Sequence, residues 1–187
     1  MKLGEIYKEL LTRDGRLVVL RPPKKDDLDS MLEFINELVD ERHEDPNFGL
    51  LLDKKMTRAE EARWLRKRLD NIAKEEVIHI VAESNGKIVG SCDVARGIYS
   101  DTRHRGVLAV FVAKGWRDIG LGRELIKETL NQCKKRGLMI VELEVLSTNR
   151  RAIHLYKKSG FRVIGRLPKG VRRDGKFYDK VMMAVEI

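Results

Sequence analysis

Cysteine and histidine are both scarce in this chain of 187 residues. The two cysteines, Cys92 and Cys133, are too far apart for a C-x-x-C pair and too few for a disulfide framework. The four histidines are scattered, and none forms a metal-ligand spacing with a cysteine. We therefore expect a protein without a disulfide framework and without a bound metal.

Long apolar runs are also missing. No stretch approaches the ~18 consecutive apolar residues of a membrane helix, and no signal peptide precedes the first predicted element. The sequence contains no repeat, linker or low-complexity segment. These absences predict one domain over residues 1–187, located in the cytoplasm and without a membrane partner.

Charge is abundant and mostly basic. The 38 lysines and arginines outnumber the 29 acidic residues and give a net charge of +9. Such a charge suits either nucleic acid or a small anionic ligand. The basic residues are spread along the chain, and the sequence shows no clustered patch with interleaved aromatic residues. We therefore expect a local anion site and no nucleic-acid partner.

Hydrophobic periodicity predicts an α/β domain. Strand patterns occur at residues 17–20, 77–82, 88–94, 108–112, 140–146, 161–167 and 177–187. Helix patterns occur at residues 1–12, 28–39, 57–72, 121–136 and 149–158, and the segments 41–55 and 168–175 are predicted loops. This order predicts a mixed, mostly antiparallel sheet of about seven strands flanked by about four main helices. His79 alternates with apolar neighbours, so we expect it on the wetter side of the sheet.

The segment between the strand at 108–112 and the following helix reads R-D-I-G-L-G. Two glycines at a helix start bring the backbone close to a ligand and leave N–H groups free, which makes an anion site. Arg117 and Arg123 add mobile positive charge on either side. The Rossmann and P-loop fingerprints are both absent. The spacing therefore favours a pyrophosphate site that is neither a Rossmann nor a P-loop site.

A second motif follows one strand later. Its matching residues have the spacing N-x-x-A-x-x-L-Y-x-x-x-G-F, and they are Asn149, Ala152, Leu155, Tyr156, Gly160 and Phe161. Together with Arg117-x-x-Gly120-x-Gly122, this pattern resembles the GNAT superfamily of acyl-CoA N-acyltransferases. The resemblance implies a GNAT-like sheet in which the strands at 108–112 and 140–146 splay apart.

The resemblance also implies acetyl-CoA as the co-substrate and assigns residues to it. Backbone groups of Val110, Phe111 and Val112 would follow the pantetheine arm and the acetyl carbonyl. The pyrophosphate would bind a loop that consists of Arg117, Asp118, Ile119, Gly120, Leu121, Gly122 and Arg123. Asp118 departs from the family pattern, so we expect only its backbone to serve as a ligand. Asn149 would hydrogen-bond the arm.

Two residues match catalytic positions of the family. Tyr156 corresponds to the general acid that protonates the departing sulfur. Glu144 is our choice of base, because ribosomal-protein alanine N-acetyltransferases carry a glutamate at this position in an L-E-V run like that at 143–145. Glu142 shares a strand face with Glu144 and competes for the role, and a water chain is a further alternative.

The expected reaction is acetyl transfer to a primary amine, with the N-terminal α-amine of a protein or peptide as the preferred acceptor. The alternatives are a small-molecule amine acetyltransferase and a non-catalytic sensor that binds coenzyme A. The acidic residues between 41 and 45 are candidates for attracting the amine. The sequence is also compatible with a homodimer.

Overall fold

A single eight-stranded sheet spans the molecule in the computed structural model, which describes residues 5–187. Its strands are β1 (Lys8–Leu11), β2 (Leu17–Arg21), β3 (Val77–Ser84), β4 (Lys87–Arg96), β5 (Arg105–Val112), β6 (Ile140–Leu146), β7 (Arg162–Arg173) and β8 (Lys176–Glu186). Four helices flank it: α1 (Leu28–Glu44), α2 (Arg58–Ala73), α3 (Leu121–Lys135) and α4 (Arg150–Lys158). The strand order is β1-β2-β3-β4-β5-β6-β8-β7.

The sheet is mixed and mostly antiparallel, as the sequence predicts. Every neighbouring pair is antiparallel except β5 and β6, which are joined by the crossover through α3. A parallel pair needs such a crossover because the chain must return to the same end of the sheet. The start of α3 therefore lies at the carboxyl end of β5, beside the position where β6 ends.

The parallel pair separates after a short contact. Only Arg105–Val107 pairs with Ile140–Glu142, and the following residues of the two strands are not paired with each other. Each strand keeps its outer partner, because β5 stays bonded to β4 and β6 to β8. The facing edges of 108–112 and 143–146 thus border a gap in the sheet. This is the splay that the family resemblance implies.

Two apolar cores lie on opposite faces of the sheet. Helices α3 and α4 cover one face, where Leu121, Leu125 and Ile126 are fully buried. Helices α1 and α2 cover the other face around residues such as Phe34 and Leu65. Each such side chain contributes roughly 1.5–3 kcal/mol by leaving water. Helices therefore cover both faces of the central strands. Strand alternation then decides which pair of helices each side chain beside the gap faces.

Local signals in the sequence explain several boundaries. Thr57 and Glu60 form the expected capping box at the start of α2, with Thr57 N donating to Glu60 Oε2 at 2.8 Å. Asn85 and Gly86 both have positive φ and make the tight turn between β3 and β4. Gly137 has φ of +75° just after α3. These predictions are confirmed.

Three predictions of local structure are wrong. Residues 8–11 form the edge strand β1 and not a helix, because their backbone pairs with the otherwise free edge of β2; the rest of the predicted helix at 1–12 includes residues 1–4, outside the described residues. Helix α1 continues to Glu44, into the predicted loop. The predicted loop at 168–175 is mostly strand, because β7 passes Pro168 with a register shift and ends at Arg173. Proline is tolerated there because β7 is an edge strand.

Candidate active site

The loop before α3 presents a row of free backbone donors. Within residues 5–187 the N–H groups of 118–122 have no hydrogen-bond acceptor, whereas those of Arg123 and Glu124 turn back to the Gly120 carbonyl at 3.1 and 3.2 Å. Positive φ angles at Asp118 (+61°) and Gly120 (+94°) curl the loop into a concave shape. Successive N–H groups in such a curve, together with the dipole of α3, make an anion-binding site.

The two glycines of this loop serve different purposes. Gly120 adopts a left-handed conformation that side-chain-bearing residues rarely accept. Gly122 has ordinary angles, but a Cβ there would lie 3.2 Å from Leu155 Cδ2 of α4 and 3.7 Å from Val112 Cγ2 of β5. The cradle between α4 and β5 is therefore just wide enough for bare backbone. These free donors match the negative charge of an anion such as a pyrophosphate.

The charged side chains of the loop differ in their exposure and in their ion-pair partners. The Asp118 carboxylate is 80% exposed and lies 2.8 Å from Arg151 Nη2, so it points away from the donors as expected. Arg123 is exposed at the third position of α3 and forms no ion pair with any described residue. The expectation that Arg117 is a mobile charge is wrong. Both of its Nη atoms bind the Glu41 carboxylate, and its Nε donates to the Val112 carbonyl at 2.7 Å.

The three predicted backbone ligands of β5 lie beside the gap. Val110, Phe111 and Val112 are half-buried in the part of β5 that does not pair with β6. Strand alternation directs Val110 and Val112 toward α3 and Phe111 toward α1 and α2. Their outer backbone groups pair with β4, which leaves the inner ones facing the gap.

Tyr156 lies beneath the sheet on the α3 and α4 face. It is 8% exposed, and its ring meets Phe161 edge to face with the centroids 5.9 Å apart. Burial, with a smaller effect from the nearby Cys92, raises the pKa of Tyr156 well above its usual value. No described residue hydrogen-bonds its hydroxyl group, so that group is available to a ligand.

Asn149 joins the end of β6 to the start of α4. Its Oδ1 accepts a hydrogen bond from Ala152 N at 3.0 Å, which caps the helix. The side-chain NH₂ has no partner among residues 5–187. One half of the amide therefore fixes the helix, and the other half remains free to donate.

The two candidate bases of β6 both lie in ion pairs. Alternation places Glu142 and Glu144 on the face of α1 and α2, because Val141 and Leu143 are buried on the other face. Glu144, in the diverging part of β6, is 47% exposed, and its Oε2 lies 2.6 Å from Lys180 Nζ. Glu142 binds Arg105 at 2.7 Å, at the closed end of the gap. Glu144 is thus the better placed of the two.

Sequence reasoning missed a polar cluster between α2 and the sheet. Glu61 and His79 are only 3% and 1% exposed, so the expectation that His79 lies on a wetter side is wrong. His79 Nε2 lies 2.9 Å from Ser91 Oγ, and Arg68 binds Asp93 at 2.9 Å. The only signal was Glu61 four residues before Leu65, on the apolar side of α2.

Burial shifts both titratable groups of this cluster toward neutrality. It raises the pKa of the Glu61 carboxyl to about 7, against a smaller lowering effect of Arg68. It lowers the pKa of His79 to about 4, with Asp93 acting in the opposite direction. Both side chains are therefore largely uncharged near pH 6.

Residues 5–187 contain neither a metal-ligand cluster nor a membrane-spanning helix. No group of three or more His, Cys, Asp or Glu side chains is placed to hold a metal ion. None of the helices in this range combines the length and the apolarity needed to cross a membrane.

Comparison with known proteins identifies the family. The sequence model of the acetyltransferase (GNAT) family matches residues 35–161. An uncharacterised N-acetyltransferase of Methanocaldococcus jannaschii is 39% identical over 105 residues, which cover 54% of this chain and 45% of the relative. The chain thus spans about half the length of this curated relative.

Two other proteins resemble the chain over most of its length. A thialysine N-ε-acetyltransferase of Sus scrofa is 29% identical over 155 residues, covering 78% of this chain and 84% of the relative. A solved ribosomal α-N-protein acetyltransferase in complex with coenzyme A superposes with a TM-score of 0.81 at 12% identity, covering 98% of both chains. At that identity the structural likeness shows the fold alone.

Proposed function

The chain belongs to the GNAT acetyltransferase family, and from that premise we propose that it transfers the acetyl group of acetyl-CoA to a primary amine. The observation that supports this most directly is the gap between β5 and β6, with the free N–H groups of 118–122 after the carboxyl end of β5 and Tyr156 buried on the α3 and α4 face. An extended ligand with a pyrophosphate at one end matches that arrangement.

We assign the binding of coenzyme A to backbone groups. The N–H groups of 118–122 would hold the pyrophosphate, with Arg123 as a nearby counter-charge. The inner edge of Val110–Val112, apart from the Val112 carbonyl that Arg117 Nε already occupies, would bond the pantetheine arm as a neighbouring strand does. The free amide NH₂ of Asn149 would donate to the same arm. Acetyl-CoA supplies an activated acetyl thioester when bound.

The protein's own groups would then handle the protons. The Glu144 carboxylate, directly or through water, accepts the proton that the attacking amine loses. The Tyr156 hydroxyl donates a hydrogen bond to the sulfur as it gains negative charge. Because burial raises the pKa of Tyr156, the phenol stays protonated at neutral pH. It therefore acts chiefly as a hydrogen-bond donor to the leaving thiolate and less as a strong acid.

The free energy of deprotonation favours an α-amine acceptor. A lysine side chain with a pKa of about 10.4 costs roughly 4–5 kcal/mol to neutralise at pH 7, whereas an α-amine at about 7.7–8.0 costs only about 1 kcal/mol. Glu144, the better placed of the two candidate bases, is ion-paired with Lys180, so an acceptor that is cheap to deprotonate suits this site. The L-E-V run also resembles enzymes that act on protein N-termini.

A competition experiment tests the acceptor. A peptide with a free N-terminus and one lysine, incubated with acetyl-CoA at pH 7.5, should carry its acetyl group on the N-terminus by mass spectrometry. A small-molecule amine is the second candidate acceptor, which the similarity to the thialysine N-ε-acetyltransferase favours. Label mainly on lysine, or on spermidine or thialysine when they are offered, would refute the α-amine preference. Coenzyme A binding without any transfer would indicate the sensor alternative.

A further inference from the structure

The segment Pro46–Leu50, which follows α1, is held by an arginine from the far end of the chain. Arg173 lies at the tip of the hairpin of β7 and β8 and is 4% exposed. Its Nη1 donates to the carbonyls of Pro46 and Phe48 at 2.7 and 2.9 Å, and its Nη2 donates to that of Leu50 at 2.9 Å. Three carbonyls on one planar guanidinium fix the course of this segment.

A second arginine contacts the same segment from the cofactor loop. The Arg117 guanidinium lies 5.2 Å from the centroid of the Phe48 ring and binds Glu41 near the end of α1. Its Nε is anchored on the Val112 carbonyl. The side chain of Arg117 thus faces α1 and Phe48, although its backbone leads directly into the pyrophosphate loop.

Phe48 connects these contacts to the gap. Its ring meets Phe111 edge to face with the centroids 5.9 Å apart, and Phe111 lies in the part of β5 that borders the gap. Helices α3 and α4 cover the opposite face of the sheet, and the anion loop at α3 draws the cofactor to that side. On the proposed function, this leaves the face of α1 and α2, where Phe48 packs on Phe111, for the approach of the amine.

We propose that Arg117 and Arg173 are positioning residues of the acceptor site, which hold Pro46–Leu50 as its wall. On this reading, the side chain of the motif arginine Arg117 serves the acceptor and not the cofactor. The inference rests on the proposed function, since it presupposes a bound acetyl donor in the gap. Neither arginine touches the reacting atoms; both act through the position of Phe48.

The test uses the full chain with Arg173→Lys, Arg117→Gln and Glu41→Gln variants. Each should raise the KM for the peptide acceptor at least tenfold, while kcat and the Kd for coenzyme A by calorimetry stay within about threefold. Hydrogen exchange in the 46–50 segment should speed up in all three variants. Glu41→Gln is included because it weakens the ion pair of Arg117 and leaves every residue of the cofactor loop unchanged.

Two neighbouring residues provide matched controls. Arg172→Ala removes an exposed arginine beside Arg173 whose guanidinium lies 5.8 Å from the centroid of the Phe177 ring. Lys114→Ala breaks an exposed ion pair between the same loop and α1, Lys114 with Glu44 at 3.2 Å. Both variants should leave KM and hydrogen exchange at the parent values.

Several results would overturn the inference. A lowered melting temperature with unchanged peptide KM would make the two arginines braces of the fold alone. A Kd for coenzyme A weakened more than tenfold in Arg117→Gln, with the KM unchanged, would return that side chain to the cofactor. If the parent protein acetylates neither a peptide nor a small-molecule amine, the proposed function fails first, and the inference falls with it.

Discussion

At the residue scale, the hydroxyl of Tyr156 is the group whose removal is most informative. We expect Tyr156→Phe to fold normally and to lose roughly 10²–10⁴ in turnover, the usual contribution of a positioned proton donor. The Kd for coenzyme A should change little, because the ring still packs on Phe161. Turnover within a few-fold of the parent would show that Tyr156 only packs. Tyr99→Phe, at a residue 70% exposed, is the control.

The buried residues Glu61 and His79 predict two opposite pH dependences of stability that offset each other. The pKa of His79 is lowered to about 4, so its contribution to stability is present above its unfolded value of 6.5 and is lost as the pH falls through 4. The pKa of Glu61 is raised to about 7, so its contribution is present below 4.5 and is lost as the pH rises through 7. Between pH 7 and 5 each effect amounts to about 2 kcal/mol with opposite sign.

Replacing one of the two residues should reveal the pH dependence that the other residue causes. The free energy of unfolding of Glu61→Gln, measured with urea, should fall by about 2 kcal/mol from pH 7 to 5. That of His79→Gln should rise by a similar amount, while the parent changes little from this pair. Identical pH profiles for the parent and both variants would contradict the burial-driven shifts.

How far the sequence predicts individual residues depends on whether their partners are local. The prediction that the Asp118 side chain turns outward follows from its position beside an anion site, and its carboxylate is 80% exposed. The partner of Arg117 does not follow, because Glu41 is 76 residues away and only the packing of α1 against the loop brings them together. Glu61 likewise looks like an ordinary charged helix residue until α2 is placed on the sheet.

At the scale of elements, the cradle at the start of α3 makes the clearest prediction. Gly120→Val or Gly122→Val should abolish coenzyme A binding in calorimetry while the far-ultraviolet circular dichroism stays native. A valine forces a left-handed residue at 120 or crowds Leu155 at 122, and either side chain blocks the free N–H groups. Gly115→Val, where an added Cβ meets nothing within 4 Å, is the control. Parent-like affinity in both loop variants would sink the assignment.

Elements with strong local signals were predictable, and those fixed by distant pairing were not. Local residues alone determine the capping box of α2, the amphipathic α3 and the Asn85–Gly86 turn. Strand β1 exists because the edge of β2 offers it hydrogen bonds. The long β7 persists past Pro168 because β8 pairs beside it. The hydrophobic periodicity of the β1 and β7 segments does not indicate either of these pairings.

At the scale of the whole molecule, the net charge of +9 should speed the capture of an anionic cofactor. The association rate of coenzyme A, followed by stopped-flow tryptophan fluorescence, should fall as sodium chloride rises from about 50 to 500 mM, because the Debye length shrinks from roughly 14 to 4 Å. The dissociation rate should change less. A salt-independent association rate would show that only the local loop matters.

The narrow contact between β5 and β6 makes the ligand a part of the architecture. Within the sheet itself, three residue pairs connect the five strands β1–β5 to the three strands β6–β8. An extended pantetheine arm that hydrogen-bonds to both facing edges would pair the backbone groups that β5 and β6 leave unpaired. It would connect the two parts of the sheet as an additional strand does. On the proposed function, coenzyme A leaves and is replaced in each turnover. The sheet is therefore more rigid when the cofactor is bound in the gap than when the gap is empty.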